Sequence, residues 1–275
     1  MGFKDKFMSR IDDVFKKLQE RGDKALIPFI TAGDPDLPTT AELIKVLADA
    51  GADLIELGVP FSDPMADGPT IQAASERALA GGTTLVKILE LVAAVRRETS
   101  IPLVLMGYYN PVFRYGAERF AQDAARAGVD ALLLVDLPPE EVGEISAAVQ
   151  AAGLALITLL APTTPRERMR QLAAAAQGYI YYVSMTGVTG AQKISPADIR
   201  AAVEELKTMT AVPVGVGFGI TTAEDAASVG EFADGVVVGS ALVRIIETYA
   251  QSTELLPRVA EFTSNLKQGL VNRTA

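Results

Sequence analysis

Eight short apolar runs punctuate the sequence, at residues 25–30, 54–59, 101–106, 129–135, 154–160, 179–183, 212–218 and 235–238. Each is too short for a typical helix and rich in branched or aromatic residues, the pattern of strands buried on both faces. The segments between them carry helical periodicity, with Leu43, Val46 and Leu47 in one and Ile145 and Val149 in another. Thr39-Thr40-Ala41-Glu42, Thr164-Pro165-Arg166-Glu167 and Thr221-Thr222-Ala223-Glu224 have the form of capping boxes. Ser195-Pro196 supplies an N-cap followed by a proline at the first helical position. Gly51, Gly128, Gly153 and Gly178 fall where helices should stop before the next strand. Eight strand–helix cycles over roughly 250 residues predict a (β/α)8 TIM barrel. An open doubly wound sheet shares the same cycles and is the structural rival.

Two places in the cycle are longer than the rest. Between the second and third strands there is room for an additional helix, 84–97, after one near 71–79. Between the sixth and seventh strands the linker 185–195 is long and polar. Insertions after strands lie on the catalytic face of a barrel, so both are candidate lids. The opening segment, with Ile11, Val14, Phe15 and Leu18, reads as an amphipathic helix that plugs the opposite end. The expectation is an α/β barrel with an added N-terminal helix and extra helices. No linker, repeat array or low-complexity tract divides it, so residues 1–275 are expected to form a single domain.

Composition removes whole classes of chemistry. The chain has no cysteine and no histidine, which leaves Asp, Glu, Lys and Tyr to move protons. No metal site is expected, because the His and Cys ligands usual for a zinc Lewis acid are absent. No lysine lies within the eight strand runs, which argues against a Schiff base at a strand end. A net charge of −9 argues against a nucleic-acid surface, but a local site of backbone N–H groups can still bind a phosphate. No apolar run approaches the ~20 residues that span a bilayer. Met1-Gly2-Phe3-Lys4-Asp5-Lys6 lacks a hydrophobic secretion core, so a cytoplasmic location is expected.

Within the second run, Glu56 is an acid in an apolar strand, and Asp67 follows on a Pro/Gly-shaped loop. Alternation along the strand sends Ile55, Leu57 and Val59 toward the helices and Leu54, Glu56 and Gly58 into the barrel, with Glu56 near its C-terminal mouth. A buried carboxylate is costly to desolvate and needs a reason. Two carboxylates in different surroundings acquire different pKa values, a common arrangement for acid–base work. A purely structural Glu56, held by an internal Arg or backbone donors, is the alternative. Asp67 alone could be a turn residue, as could Asp63. Tyr108, on the same face as Met106, together with Tyr181 and Phe29, would suit a flat aromatic substrate. Glycines end the seventh strand, and Gly239-Ser240 ends the eighth and opens a helix at Ala241. Loops after strands seven and eight with a helix N-terminus are the usual phosphate site of such barrels. Carbon–carbon cleavage here would have to rely on carboxylates and an electron sink within the substrate.

The stretch 55–72, Ile-Glu-Leu-Gly-Val-Pro-Phe-Ser-Asp-Pro-Met-Ala-Asp-Gly-Pro-Thr-Ile-Gln, closely resembles the signature of the tryptophan synthase alpha subunit family. Pro28-Phe29-Ile30-Thr31-Ala32-Gly33-Asp34-Pro35, Gly187-Val188-Thr189-Gly190 and Gly217-Phe218-Gly219-Ile220 match further family blocks in the same order. The resemblance covers essentially the whole chain. It implies a TIM barrel that cleaves indole-3-glycerol phosphate to indole and glyceraldehyde 3-phosphate, with no cofactor in this chain. It implies that Glu56 transfers protons at indole C3 and the glyceryl hydroxyl, and that Asp67 lies near the indole N–H. Phe29, Met106 and Tyr108 match positions around the indole ring, and Tyr181 a tyrosine beside the catalytic Glu. Gly190, Gly219, Gly239 and Ser240 match phosphate-holding positions, and Thr189 a lid residue that meets the Asp on closure. An Arg found in some members next to the Gly-Val-Thr-Gly block is absent here, where Met185-Thr186 stands. The resemblance further implies a pyridoxal-phosphate beta subunit as partner in an αββα assembly.

Overall fold

A computed structural model describes residues 9–138, 140–183, 196–217 and 219–271. In chain order the elements are α1 (Arg10–Arg21), β1 (Ala25–Thr31), α2 (Leu37–Asp49), β2 (Ile55–Gly58), α3 (Pro69–Ala80), α4 (Leu85–Val95) and β3 (Leu103–Gly107). Next come α5 (Tyr109–Tyr115), α6 (Ala117–Ala127), β4 (Ala131–Leu134), α7 (Gly143–Ala151), β5 (Ala155–Leu156), β6 (Thr158–Leu160), α8 (Arg166–Ala175) and β7 (Ile180–Val183). The chain finishes with α9 (Pro196–Lys207), β8 (Val214–Gly217), α10 (Ala223–Gly230), β9 (Gly235–Val238), α11 (Ser240–Tyr249) and α12 (Leu255–Gln268).

All strand pairs are parallel, and the order runs β5-β4-β3-β2-β1-β9-β8-β7-β6. The predicted fifth strand is one run broken at Ile157, so that β5 pairs with β4 and β6 with β7. The two free edges of the sheet are therefore consecutive pieces of the same chain, and the ring is a nearly closed eight-run barrel. No strand order reversal occurs, which removes the open doubly wound alternative.

Strand alternation sorts the core into an inner and an outer set. Leu54, Val104, Ala131, Leu133, Tyr179 and Val237 form a buried cluster inside the barrel together with Ile11, Phe15 and Leu18 of α1. The N-terminal helix thus plugs the barrel as its apolar face predicts. Ile55 and Leu57 belong instead to the outer cluster, packed against the helical shell. Three carboxylates secure the N-terminal rim in the same way. Asp53, Asp130 and Asp234 accept the N–H of Leu26 (2.7 Å), Leu103 (2.9 Å) and Val214 (3.0 Å) from the neighbouring strand. Each also pairs with a cation from the shell: Lys267 at 2.6 Å, Arg96 at 3.0 Å and Lys207 at 2.6 Å. A buried N–H at a strand start needs an acceptor, and the aspartate supplies one where no further strand residue can.

The helix boundaries correct several sequence expectations. α2 starts earlier than its Thr39 signal, because Asp36 caps it by accepting from Thr39 N–H at 2.7 Å. Thr164 closes a turn with Ala161 N–H instead of capping α8. The box at α10 is real but shifted by one, pairing Thr222 with Asp225, and an unforeseen one at Ser9 and Asp12 starts α1. Each shift has one cause: several Ser, Thr and Asp residues near a helix start compete for the same N–H groups. The glycines Gly51, Gly128, Gly153 and Gly178 all take positive φ, as expected of helix ends. The additional helices between strands two and three are present as α3 and α4, while short α5 went unforeseen. Among the described residues no single helix is long and apolar enough to cross a membrane.

Candidate active site

At the C-terminal ends of β1, β2 and β3 the register pairs Phe29 with Glu56 and, two residues further along, Gly58 with Met106. A Cβ on Gly58 would lie 2.5 Å from Phe29 Cζ, so glycine there is what lets the ring lie across the strand end. Phe29, Thr31, Gly58, Asp67, Met106 and Tyr108 line one pocket, with Ile71 and Ser75 of α3 along its side.

Glu56 is fully buried, inside the barrel as its parity predicts. Its Oε1 accepts a 2.5 Å hydrogen bond from the Tyr179 hydroxyl, while Oε2 has no partner among the described residues. Burial pushes the carboxyl up to about 7, and the Tyr179 bond pulls it part of the way back. The Tyr179 phenol is itself held protonated, first by burial and then by the adjacent carboxylate. Near neutral pH both forms of Glu56 are therefore populated, the condition under which one group serves as acid and base in turn. A buried carboxylate oxygen left unpaired is unfavourable by about 1–3 kcal/mol. That cost is relieved by a proton or by a donor on a bound ligand.

Asp67 sits on the turn before α3, with its N–H bonded to Pro64 O at 3.0 Å. Burial raises its pKa, and hydrogen bonding to the Tyr108 phenol opposes the rise. The same phenol oxygen accepts the Ala66 N–H at 3.0 Å, and the Tyr108 ring stacks on Phe61 with centroids 5.0 Å apart. Tyr108 is thus both a pocket wall, as its sequence position predicts, and the pin that holds the Asp67 loop against the barrel. Gln72 adds a second tie, donating to Asp67 O at 2.8 Å.

Tyr181 is buried in the barrel near Glu56 and Asp67, whose charges add to burial in raising its pKa. The hydrogen bond to Glu56, however, comes from Tyr179, two residues earlier on the same strand face and not among the candidates named from the sequence. Both tyrosines point inward. Parity cannot rank how far each lies up the barrel axis relative to a glutamate on a strand four neighbours away. The missed signal is the accounting rule itself: a buried acid requires a donor, and the tyrosines of the inner face are candidates to supply one.

On the far side of Phe29 Gly239 caps α11 and Ser240 is its first residue, one position before the expected start. The first N–H groups of a helix have no internal acceptor and form an anion site. A Cβ on Gly239 would lie 3.7 Å from Phe29 Cβ, so this terminus adjoins the ring wall. Gly219, exposed with φ +43°, lies on the loop after β8. Thr189 and Gly190 lie outside the described residues, as does the 185–195 linker. Among the described residues no three His, Cys, Asp or Glu side chains form a metal-ligating cluster.

A family model for the tryptophan synthase alpha chain matches residues 15–271. The tryptophan synthase alpha chain of Geobacter sp. (strain M21) is 59% identical over 264 residues, 96% of this chain and 98% of that one. That of Geobacter sulfurreducens is 55% identical over 265 residues, covering 96% of this chain and 100% of its own length. Among solved structures, tryptophan synthase subunit alpha of Legionella pneumophila superposes with a TM-score of 0.89 at 44% identity, over 96% of this chain and 98% of that one. A chain of the aminoacrylate-bound tryptophan synthase of M. tuberculosis gives 0.85 at 36% identity, over 95% and 99%. The match to the family model and, over nearly the whole chain, to these relatives agrees with the barrel: the chain belongs to the tryptophan synthase alpha chain family.

Proposed function

We propose that Glu56 and Asp67 carry the family's reaction in this chain, with the α11 terminus as the phosphate subsite. The protein is a carbon–carbon lyase of tryptophan biosynthesis that cleaves indole-3-glycerol phosphate to indole and glyceraldehyde 3-phosphate. It needs no cofactor of its own, since pyridoxal phosphate is carried by the beta subunit.

In the protonated form Glu56 gives its proton to indole C3, which makes the ring a cation and an electron sink. The carboxylate so formed takes the proton of the adjoining glyceryl hydroxyl as the C–C pair collapses into the ring. Indole and an aldehyde result, and Glu56 ends with the proton it began with. Asp67 accepts the indole N–H and opposes the positive charge that develops on the ring. Such a stabiliser is most effective where water is excluded. Phe29, Met106 and Tyr108 hold the ring plane, Tyr181 closes the inner side, and Gly219, Gly239 and Ser240 face the phosphate. Thr189 and Gly190 belong to the same reading on the strength of the family blocks. Binding energy from the remote phosphate then serves to orient the reacting carbon.

The observation that carries this reading is Glu56: fully buried, bonded to one phenol, with its second oxygen unpaired among the described residues. Indole release from indole-3-glycerol phosphate, measured on the full chain with and without a beta subunit, tests it. No release under either condition would overturn it. Tyr179→Phe gives a finer readout. Losing a donor that favours the carboxylate must raise the Glu56 pKa, so the alkaline limb of kcat/KM should move up by about one pH unit. An unmoved limb would remove Glu56 as the titrating group.

The partner is the beta subunit. Met65 and Phe113 are exposed by 80% and 64% on the loop after β2 and on α5. The Phe61–Tyr108 and Tyr109–Phe113 ring pairs join these two sites along the active-site mouth. We place the beta subunit on this apolar rim, where it would cover the exit through which indole leaves. Phe113→Glu should weaken the complex about 10-fold or more in a titration, with lyase activity of the isolated chain unchanged. A complex of wild-type affinity would place the interface elsewhere. A cytoplasmic location belongs to the same proposal, supported by the family's biosynthetic role.

A further inference from the structure

Helices α3 and α11 are fastened together by one ion-pair cluster. Asp34, only 2% exposed on the loop after β1, receives both arms of the Arg77 guanidinium, Nε to Oδ1 at 2.8 Å and Nη2 to Oδ2 at 2.9 Å. Nη1 of the same group reaches Glu247 Oε1 at 2.7 Å. Arg77 belongs to α3, which starts just after Asp67, and Glu247 to α11, which starts at the phosphate subsite.

The cluster sits directly above an apolar layer. Ala74 precedes Arg77 by three residues and Val243 precedes Glu247 by four, so each pair shares a helix face. Ala74 and Val243 pack on Phe29 in a small buried cluster of their own. The seam between α3 and α11 therefore has an ionic outer layer and an inner one whose last member is the ring wall of the pocket. Asp34 is a firm anchor for it. Gly33 beside it has φ +88°, its N–H bonds Thr40 Oγ1 at 3.0 Å, and a Cβ there would collide with Thr83.

Resting on the site assignment above, we propose that Arg77 is a positioning residue that fixes the separation between the phosphate end of α11 and the Asp67 end of α3, and so measures the three-carbon chain joining phosphate to ring. The fork fits a carboxylate bidentately, which fixes an angle as well as a distance; a lysine ammonium would keep the charge and lose the angle. The helices amplify any change. Arg77 lies about 12 Å along α3 from its start at 1.5 Å per residue, so a tilt of about 5° moves that start by about 1 Å. A displacement of about 1 Å at reacting groups costs on the order of 10²-fold in rate.

A ruler is needed only by a ligand that spans both ends. Indole alone and glycerol 3-phosphate alone each meet one end, whereas indole-3-propanol phosphate joins the two without a cleavable bond. For Arg77→Lys in complex with the beta subunit, affinity for the joined ligand should fall about 10-fold or more and kcat about 10²-fold. Affinity for each half should stay within about twofold. Glu247→Gln removes only the half-exposed α11 arm, should show the same pattern more weakly, and carries the test if Arg77→Lys does not fold. Equal weakening of halves and joined ligand would mean general loosening and would overturn the proposal, as would wild-type values throughout. Failure of the wild-type protein to bind the halves or to release indole would instead overturn the site assignment.

Discussion

Glu56→Gln is expected to lower indole release by ~10²–10⁴-fold while making the folded protein more stable above neutral pH. The first effect follows from removing the group proposed to protonate the ring carbon. The second follows from linkage. Folding raises the Glu56 pKa from an ordinary value near 4.5 to about 7, with burial as the main cause. Between those values the folded chain holds a proton that the unfolded chain has lost, so stability falls as pH rises through the window. Below pH 4.5 both states are protonated and the contribution is fully present; above 7 it is gone. The 2.5-unit difference corresponds to roughly 3 kcal/mol. Glutamine does not titrate, so the variant should lack this slope. Denaturant unfolding at pH 5 and pH 8 would show the wild type losing stability between them and Glu56→Gln holding level. A variant whose pH–stability curve overlays the wild type would mean that Glu56 does not carry the shifted titration. Stability and activity are opposed at this one residue, as they commonly are where a site holds an unfavourable charge.

Asp67→Asn should lower kcat by about 10²–10³-fold, the usual cost of removing one group aimed at developing charge in a dry site. The amide oxygen can still accept the indole N–H, so the substrate should bind nearly as before. KM and the affinity for glycerol 3-phosphate should change less than about twofold, because the proposed phosphate subsite lies on α11. This split distinguishes a transition-state role from a ground-state one: a loss appearing in KM with kcat preserved would assign Asp67 to substrate binding alone. The Tyr108 pin makes the test cleaner. Its bond to Ala66 N–H does not involve the altered group, so the loop should keep its place.

Barrel architecture was legible because strand identity rests on short buried runs, and each of the eight has a counterpart in the structure. The inward direction of Glu56 was legible for the same reason, since alternation along β2 is dictated by the pleat. Two features were not. The break at Ile157 is invisible in 154–160, where an unbroken apolar run reads as one strand, because pairing to neighbours on either side is a tertiary property. The Tyr179 donor was hidden by distance along the chain: 123 residues separate it from Glu56. Helix starts were blurred by local competition, as at Asp36 and Thr39, where the better acceptor wins the N–H. The paired carboxylates themselves stood out early. An acid inside an apolar strand has few cheap explanations.

Phe15 of α1 lies beneath Tyr179, ring centroids 6.1 Å apart, and Tyr179 in turn holds Glu56. The Glu56 carboxyl is therefore underpinned from the far end of the cylinder by the earliest-synthesised helix of the described chain. Until that stopper has seated, the phenol has no floor and the acid no fixed companion. Competence for bond cleavage arrives with completion of the whole drum, and a half-assembled mouth cannot possess it in advance.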